Sequence, residues 1–290
     1  FQLDLASLKT DTLVKWDAYL NGASYSPDGT QLLLTGSPSA FGGIGKNCGD
    51  LPIANDFDVQ AFLMDLSTEE VTPITRDFNP AIINAAWNRA DGCIYFNTTD
   101  KDCQHIYRYN PGKASFEILA LEQDVISNFS VPDDNATLMA YVGGGNTSAG
   151  VAYLYDRKKG KSTLLANPMQ ERLDEIELGE MQPWNFTAAD GTVIEGMMCL
   201  PPSFDPQKKY PLIVYYYGGT TPTTRGMTSP YSPQLFASRD YVVYVINPSG
   251  AIGYGQEFSA RHGHAWGDWT AAEINAGTEK FRAPPPFWGA

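Results

Sequence analysis

The sequence predicts a partial β-propeller of three to four blade equivalents, followed by an α/β region. Three observations predict this: a β-rich unit recurs at a spacing of about 40–50 residues, each unit carries turn residues at the same place, and near residue 180 the pattern changes to apolar strands alternating with helical segments.

The repeat is read from three segments that share a turn followed by a β-rich run: SPDGTQLLLTG from Ser26, NRADGCIYFNT from Asn88 and VPDDNATLMAYVG from Val131. Asp91 to Asp134 is 43 residues and Asp28 to Asp91 is 63, the surplus matching a Gly-rich insertion around Ser37–Asp56. The Asp-Gly steps supply the positive φ that tight hairpin turns require. A second strand follows each turn, as AFLMDLSTEEVTPIT from Ala61, HIYRYNPGKASFEIL from His105 and AYLYDRKKGKSTLLA from Ala152. Each alternates apolar and polar residues, breaks at a polar turn and resumes as a further strand. The opening FQLDLASLKTDTL fits the same register, with Asp4 in the place of Asp65. The alternative architecture for this half is a β-sandwich of irregular hairpins. Because blades bury their faces against neighbours, three to four blades leave a ring open, and further blades are expected N-terminally.

The acidic stretch Glu171–Glu180 separates the halves and reads as a solvated linker. The expected organisation is therefore a partial propeller at 1–170, a linker at 171–180 and an α/β region at 181–290. In the second half, MQPWNFTAADGTVIEGMMCLPPSF is a hairpin turning at Asp190-Gly191. Leu212–Tyr217 and Tyr241–Ile246 are continuous apolar runs of the kind found in buried central strands. Ser232–Arg239 is a short helix with Ser232 as N-cap and Pro233 at its first position, and Thr270–Phe281 is an amphipathic helix.

A net charge of −13 argues against a nucleic-acid partner, because phosphate binding needs clustered Lys and Arg. The one basic cluster, Arg157 to Lys161, reads as an exposed hairpin turn. No apolar run approaches the roughly 20 residues that span a bilayer. The chain begins at Phe1 rather than Met, so a removed leader or a missing N-terminus is expected, and the compartment stays open. Cys48, Cys93, Cys103 and Cys199 show neither CxxC nor zinc spacing and are expected as free, mostly buried thiols. Sequons occur at Asn97, Asn128, Asn135, Asn146 and Asn185.

The motif NPSGAIGYGQEF at Asn247–Phe258 with Trp266-Gly267, the YYYGGT at Tyr215–Thr220 and the preceding DGTVIEGMMCLPPSFDPQKKYPLIVY together resemble the hydrolase domain of the prolyl oligopeptidase family of serine peptidases. Among its members the dipeptidyl-peptidase and acylaminoacyl-peptidase types look most similar. The resemblance is strong over Trp184–Trp269 and architectural over the repeats. It implies that residues 181–290 are the N-terminal part of an α/β-hydrolase domain, capped by the propeller. The complete protein would then cleave short peptides by acyl transfer, with no cofactor and no metal. By the same resemblance, Tyr217 matches the family's oxyanion-stabilising tyrosine, a phenol aimed at developing negative charge. Members often carry Arg where this sequence has Ser249, so a role for that Arg does not transfer.

The remaining machinery is not in the sequence. An α/β-hydrolase needs a Ser on a G-x-S-x-G elbow, with Asp and His later in the chain. The nearest decoy, Gly22-Ala23-Ser24-Tyr25-Ser26, ends in Ser and lies inside a repeat. The family's elbow would follow the 270–281 helix, where this chain runs RAPPPFWGA, so a truncated or frameshifted end and an inactive chain are expected. Other candidates are weak. His262 and His264 with Asp268 form only an i,i+2 pair. GGIGK at Gly42–Lys46 lacks the first Gly and the Ser/Thr of a P-loop. Glu69-Glu70 sits in a hairpin turn, although paired glutamates hold substrate amines in dipeptidyl peptidases. Two other functions fit the same residues: a non-catalytic propeller binding module with a vestigial hydrolase segment, and a fragment of a small-molecule esterase. An elbow serine encoded past codon 290 separates the first from a peptidase, and a peptide-versus-ester screen separates the second.

Overall fold

The computed structural model describes residues 1–15, 18–229 and 231–283. A short hairpin, β1 (Gln2–Leu3) with β2 (Thr10–Asp11), opens the chain. Three four-stranded antiparallel meanders follow. The first is β3 (Leu20–Tyr25), β4 (Gln31–Gly36), β5 (Gln60–Asp65) and β6 (Val71–Pro73), with the short helix α1 (Ala40–Gly43) in the long β4–β5 connection. The second is β7 (Ala81–Trp87), β8 (Ile94–Asp100), β9 (Cys103–Asn110) and β10 (Ser115–Ile118). The third is β11 (Val125–Ser130), β12 (Leu138–Gly144), β13 (Val151–Asp156) and β14 (Lys161–Ala166). One parallel bridge, Val125 to Gln104, joins the last two.

The repeated turns form for a local reason. In the β5–β6 turn the Asp65 carboxylate accepts the N–H groups of Ser67 and Thr68, and the residue four places on, Glu69, takes a φ of 59°. Asp4 does the same with Ala6 and Ser7, and Leu8 takes a φ of 55°. Asn110 and Asp156 repeat the device with Lys113 and Lys159, ahead of Ala114 at 48° and Gly160 at 58°. A short Asn or Asp side chain mimics a backbone turn and tolerates the left-handed residue that closes it. The expected equivalence of Asp4 and Asp65 holds for these backbone N–H bonds. In the β3–β4 turn, the Ser26 hydroxyl and the amide and hydroxyl of Thr30 hold the Asp28 carboxyl down at about 2.

The meanders stack through alternate faces of their strands, as a period of two requires. On β8, Ile94 and Phe96 face the first meander and join Leu33, Ala61 and Ile82, while Tyr95 faces the third and joins Ile126, Met139 and Tyr141. Burying both faces explains why β8 carries a run of buried residues. Cys93 and Cys103 lie at opposite ends of the β8–β9 hairpin, whose register pairs Ile94 with Tyr109 and Asp100 with Cys103. All four cysteines are buried and unbridged.

The acidic segment is mostly exposed but contains one short helix, α2 (Gln170–Asp174). Beyond it come β15 (Met181–Pro183), β16 (Phe186–Thr187), β17 (Val193–Cys199), β18 (Leu212–Tyr215), α3 (Pro233–Ala237), β19 (Val242–Asn247), α4 (Gln256–Ala260) and α5 (Asp268–Arg282). The sheet order is β15-β17-β19-β18, with β19 antiparallel to β17 and parallel to β18. Strand β19 is buried throughout. Val242, Tyr244 and Ile246 pack with Phe281 of α5 on one face, and Val243 and Val245 pack with Ala237 of α3 on the other. Both faces of β19 are therefore covered, as an apolar strand in the interior of a sheet demands.

Several local expectations are corrected. The strand expected over Leu212–Tyr217 ends at Tyr215, where the chain leaves the sheet and exposes Tyr216 and Tyr217. The strand expected over 241–246 is shifted by one residue to Val242–Asn247, and α5 extends beyond 270–281 at both ends. Ser232 holds the N-cap position of α3 but makes no side-chain cap, since its Oγ is turned into the interior. The RAPPPFWGA tail falls almost wholly in residues 284–290, outside the described residues. No helix among the described residues is long and apolar enough to cross a membrane.

Among the described residues β18 pairs only with β19, and a groove of about 620 Å³ lined by Leu212, Val214, Thr278 and Arg282 lies beside it. Unpaired apolar edges recruit other strands. The 290-residue chain is expected to self-associate as its concentration rises in sedimentation velocity. One monomeric species across the whole range would show that the edge is not available for pairing.

Candidate functional site

The C-terminal ends of β18 and β19 open into two loops, beginning at 216 and 248, from which Arg225, Met227 and Gly253 bond to the meanders. Ligands of open α/β sheets bind at this end of the strands, where successive connections part to opposite faces. Tyr217 lies in the first loop with 65% of its surface exposed. Its ring lies over Gly219, where a Cβ would stand 2.4 Å from a ring carbon. The Trp266 indole N–H donates to the Gly218 carbonyl at 3.1 Å. The His262 ring sits 5.9 Å from that of Trp266, and burial holds His262 below the usual imidazole range.

The second loop is pinned from below. The Asn247 side chain accepts the Thr223 N–H at 2.8 Å and donates to the Thr223 carbonyl and the Tyr254 hydroxyl at 3.1 Å each, tying the two loops together. Ser249 donates its N–H and hydroxyl to Glu273 at 2.7 and 2.6 Å. Glu273 is buried, and that burial pushes its carboxyl upward. Arg261 lies 3.8 Å from Glu273, reaches Asp190 at 3.0 Å and stacks on Trp269.

From the other side the meanders close on the same loop. The turn between β8 and β9 places the Lys101 N–H on the Gly253 carbonyl at 3.1 Å. A Cβ at Gly253 would lie 2.8 Å from the Thr99 carbonyl and 3.0 Å from the Lys101 nitrogen, so only glycine permits this approach. Arg225 grips Asp102 through two bonds of 2.8 and 3.0 Å, with Asp124 at 3.5 Å. Bidentate pairing of this kind fixes orientation as well as distance. The β4–β5 insertion adds Asn47, whose N–H donates to Gln256, and Gly45, whose carbonyl accepts from it. The Gly42–Lys46 stretch is thus part of this seam. Asp58 accepts the Ser259 hydroxyl at 2.6 Å, 201 residues away in the chain.

Of the residues singled out from sequence, Tyr217 stands exposed in the loop after β18. His262 packs inside the loop while His264 is exposed, and among the described residues no three His, Cys, Asp or Glu side chains are grouped to hold a metal ion. Glu69 and Glu70 stand in the β5–β6 turn. Sequence reasoning missed Arg225, Asp102, Asp58 and Gln256. No local pattern marks them, because their partners lie on the other half of the chain. The one available signal was the spacing of glycines in Asn247–Phe258, which marks a loop approached by another backbone.

Burial pushes the Asp58 carboxyl up to about 6, against an ordinary 3.8, and among the described residues no cation pairs with it. A raised folded value means that stability is fully present below about pH 3.8 and lost as pH rises through about 6. Asp58→Asn is expected to raise Tm at pH 8 and to leave it unchanged near pH 4, with an upper bound of about 3 kcal/mol from a shift of this size. Equal Tm differences at both pH values, by calorimetry, would show that the charge is not what strains this contact.

Residues 227–287 match the prolyl oligopeptidase family model. Over 95 residues, 32% of this chain and 14% of the relative, the sequence is 33% identical to dipeptidyl-peptidase 5 of Schizosaccharomyces pombe. The structure of Pyrococcus horikoshii acylaminoacyl peptidase matches 90% of this chain and 38% of its own, with a TM-score of 0.72 and 21% identity. Dipeptidyl peptidase 4 of Porphyromonas gingivalis matches 94% of this chain and 37% of its own, with a TM-score of 0.69 and 15% identity. The chain spans well under half the length of these relatives.

Proposed function

We propose that this chain, a member of the prolyl oligopeptidase family, supplies the propeller side and the oxyanion side of a serine peptidase that cleaves short peptides by acyl transfer. In this reading the three meanders and the β1–β2 hairpin, within residues 1–170, are the three to four blade equivalents of a partial β-propeller. Residues 171–180 are the linker, and 181–290 are the N-terminal part of the α/β-hydrolase domain. The observation that carries the reading is the placement of Tyr217. It is 65% exposed and lies two residues beyond the end of β18, the strand parallel to β19 in a sheet ordered β15-β17-β19-β18.

The chemistry asked of Tyr217 is limited and specific. As a nucleophile attacks a peptide carbonyl, negative charge builds on oxygen, and a phenol donor already aimed at that position stabilises the transition state more than the ground state. The Gly218 carbonyl is held by Trp266, which fixes the peptide next to Tyr217. The seam matters for the same reason. Arg225 and Asn247 hold the loop that begins at Tyr217 against two separate elements. Proton transfer from a serine needs a G-x-S-x-G elbow and its His, which this sequence does not contain.

Two outcomes test the reading. The 290-residue chain alone is expected to take no label from a fluorophosphonate probe, and stoichiometric labelling mapped to one of its serines would overturn this assignment. In a protein that joins this chain to a nucleophile elbow, Tyr217→Phe is expected to lower kcat by about 10²–10³-fold with little change in KM. Kinetics equal to the parent would return Tyr217 to a packing role.

A further inference from the structure

Three buried polar atoms belong to residues that line one cavity at the seam. Asn146 Oδ1, Thr223 Oγ1 and Ser232 Oγ are each shielded from solvent and have no hydrogen-bond partner among the described residues. All three residues line the same cavity, together with Met181, Met197 and Gln234. They come from three separate elements: the β12–β13 turn, the loop after β18, and the N-cap of α3. Buried polar groups in folded proteins are almost always bonded to protein or to ordered water. Three orphans in one cavity therefore point to a shared partner.

The neighbouring groups cannot serve, because they are already committed. The amide of Gln234 is spent on both backbone groups of Gly179 and on the Asn146 carbonyl. The backbone N–H and carbonyl of Thr223 are taken by Asn247. The guanidinium of Arg225, which also lines the cavity, is held by Asp102. The space open to the centre of a water-sized sphere is about 10 Å³, close to the roughly 10–15 Å³ that one water needs. A buried water also needs two to four polar partners, and three are present. No carboxylate lines the cavity and the one charged neighbour is cationic, which disfavours a metal ion.

We propose that this cavity binds a single structural water molecule that bridges the third meander to the α/β region. The water donates one hydrogen to Asn146 Oδ1 and one to a hydroxyl, and accepts from the other hydroxyl. Beside it, two direct bonds tie the β12–β13 turn to the α/β region: Met227 N–H to the Gly145 carbonyl at 3.0 Å, and Gln234 to the Asn146 carbonyl at 3.4 Å. The bridge thus completes the attachment of the loop that runs from Tyr217 to α3.

Thr223→Val keeps the side-chain shape and removes one partner of the water. With the bridge in place this variant is expected to lower Tm by a few degrees. If the hydroxyl has no partner at all, its removal relieves a buried desolvated group and Tm stays level or rises, which overturns the proposal. Thr223→Ser, which retains the hydroxyl, is expected to keep the water. A crystal structure of the protein decides directly, including for variants that fold poorly. Density for one water within hydrogen-bond distance of at least two of the three atoms supports the proposal. A dry cavity, an ion, or side chains turned to protein partners refutes it.

Discussion

The contact between the Gly253 carbonyl and the Lys101 N–H, with the Gly253 Cα pressed against the Thr99 backbone, is the constraint on which the arrangement of the two halves depends. It joins the turn between β8 and β9 to the loop after β19, so a hairpin in the middle of the meanders meets the end of the most buried strand of the mixed sheet. Backbone-to-backbone contact sets distance tightly, and a side chain at position 253 would force the two halves apart. Asp102, next to that turn, then receives Arg225, and Lys101 itself reaches Glu195 on β17. The loop that carries both Tyr217 and Arg225 is anchored by these contacts.

Each half meets this constraint with its own form of rigidity. The meanders are stiffened by strands buried on both faces, so β8 is shared by two cores and moves with both. The mixed sheet is stiffened by β19, whose side chains alternate between α5 and α3. Between them the polar groups of the seam are paired across long sequence separations, as with Gln256 and the Gly45 carbonyl or Ser259 and Asp58. Buried polar contacts of this kind are costly when left incomplete. That favours one docking geometry over a sliding apolar surface.

Much of this was legible from local pattern because the controlling interactions are local. The Asp or Asn at the start of each repeated turn accepts hydrogen bonds within three residues of itself, so Asp4, Asp65, Asn110 and Asp156 announce their turns from sequence alone. The apolar run that became β19 and the helical pattern that became α5 were legible for the same reason, since periodicity and burial are properties of contiguous residues. The tyrosine at 217 was legible only through resemblance. A run of three tyrosines does not say which of them leaves the sheet, and the structure ends the strand at Tyr215.

What the sequence determined by itself was therefore the inventory of elements: meanders with Asx-closed turns, an acidic divider, and apolar strands alternating with helices. Tertiary structure alone decided how they meet. It gave Ser232 an interior-facing hydroxyl in place of a helix cap, gave Gly253 a backbone neighbour from residues 99–101, and set Arg225 on Asp102 across 123 residues. The physical reason is that capping, turn closure and periodicity act over a few residues. Docking depends on which surfaces two folded halves present to one another, and that is known only once both have formed.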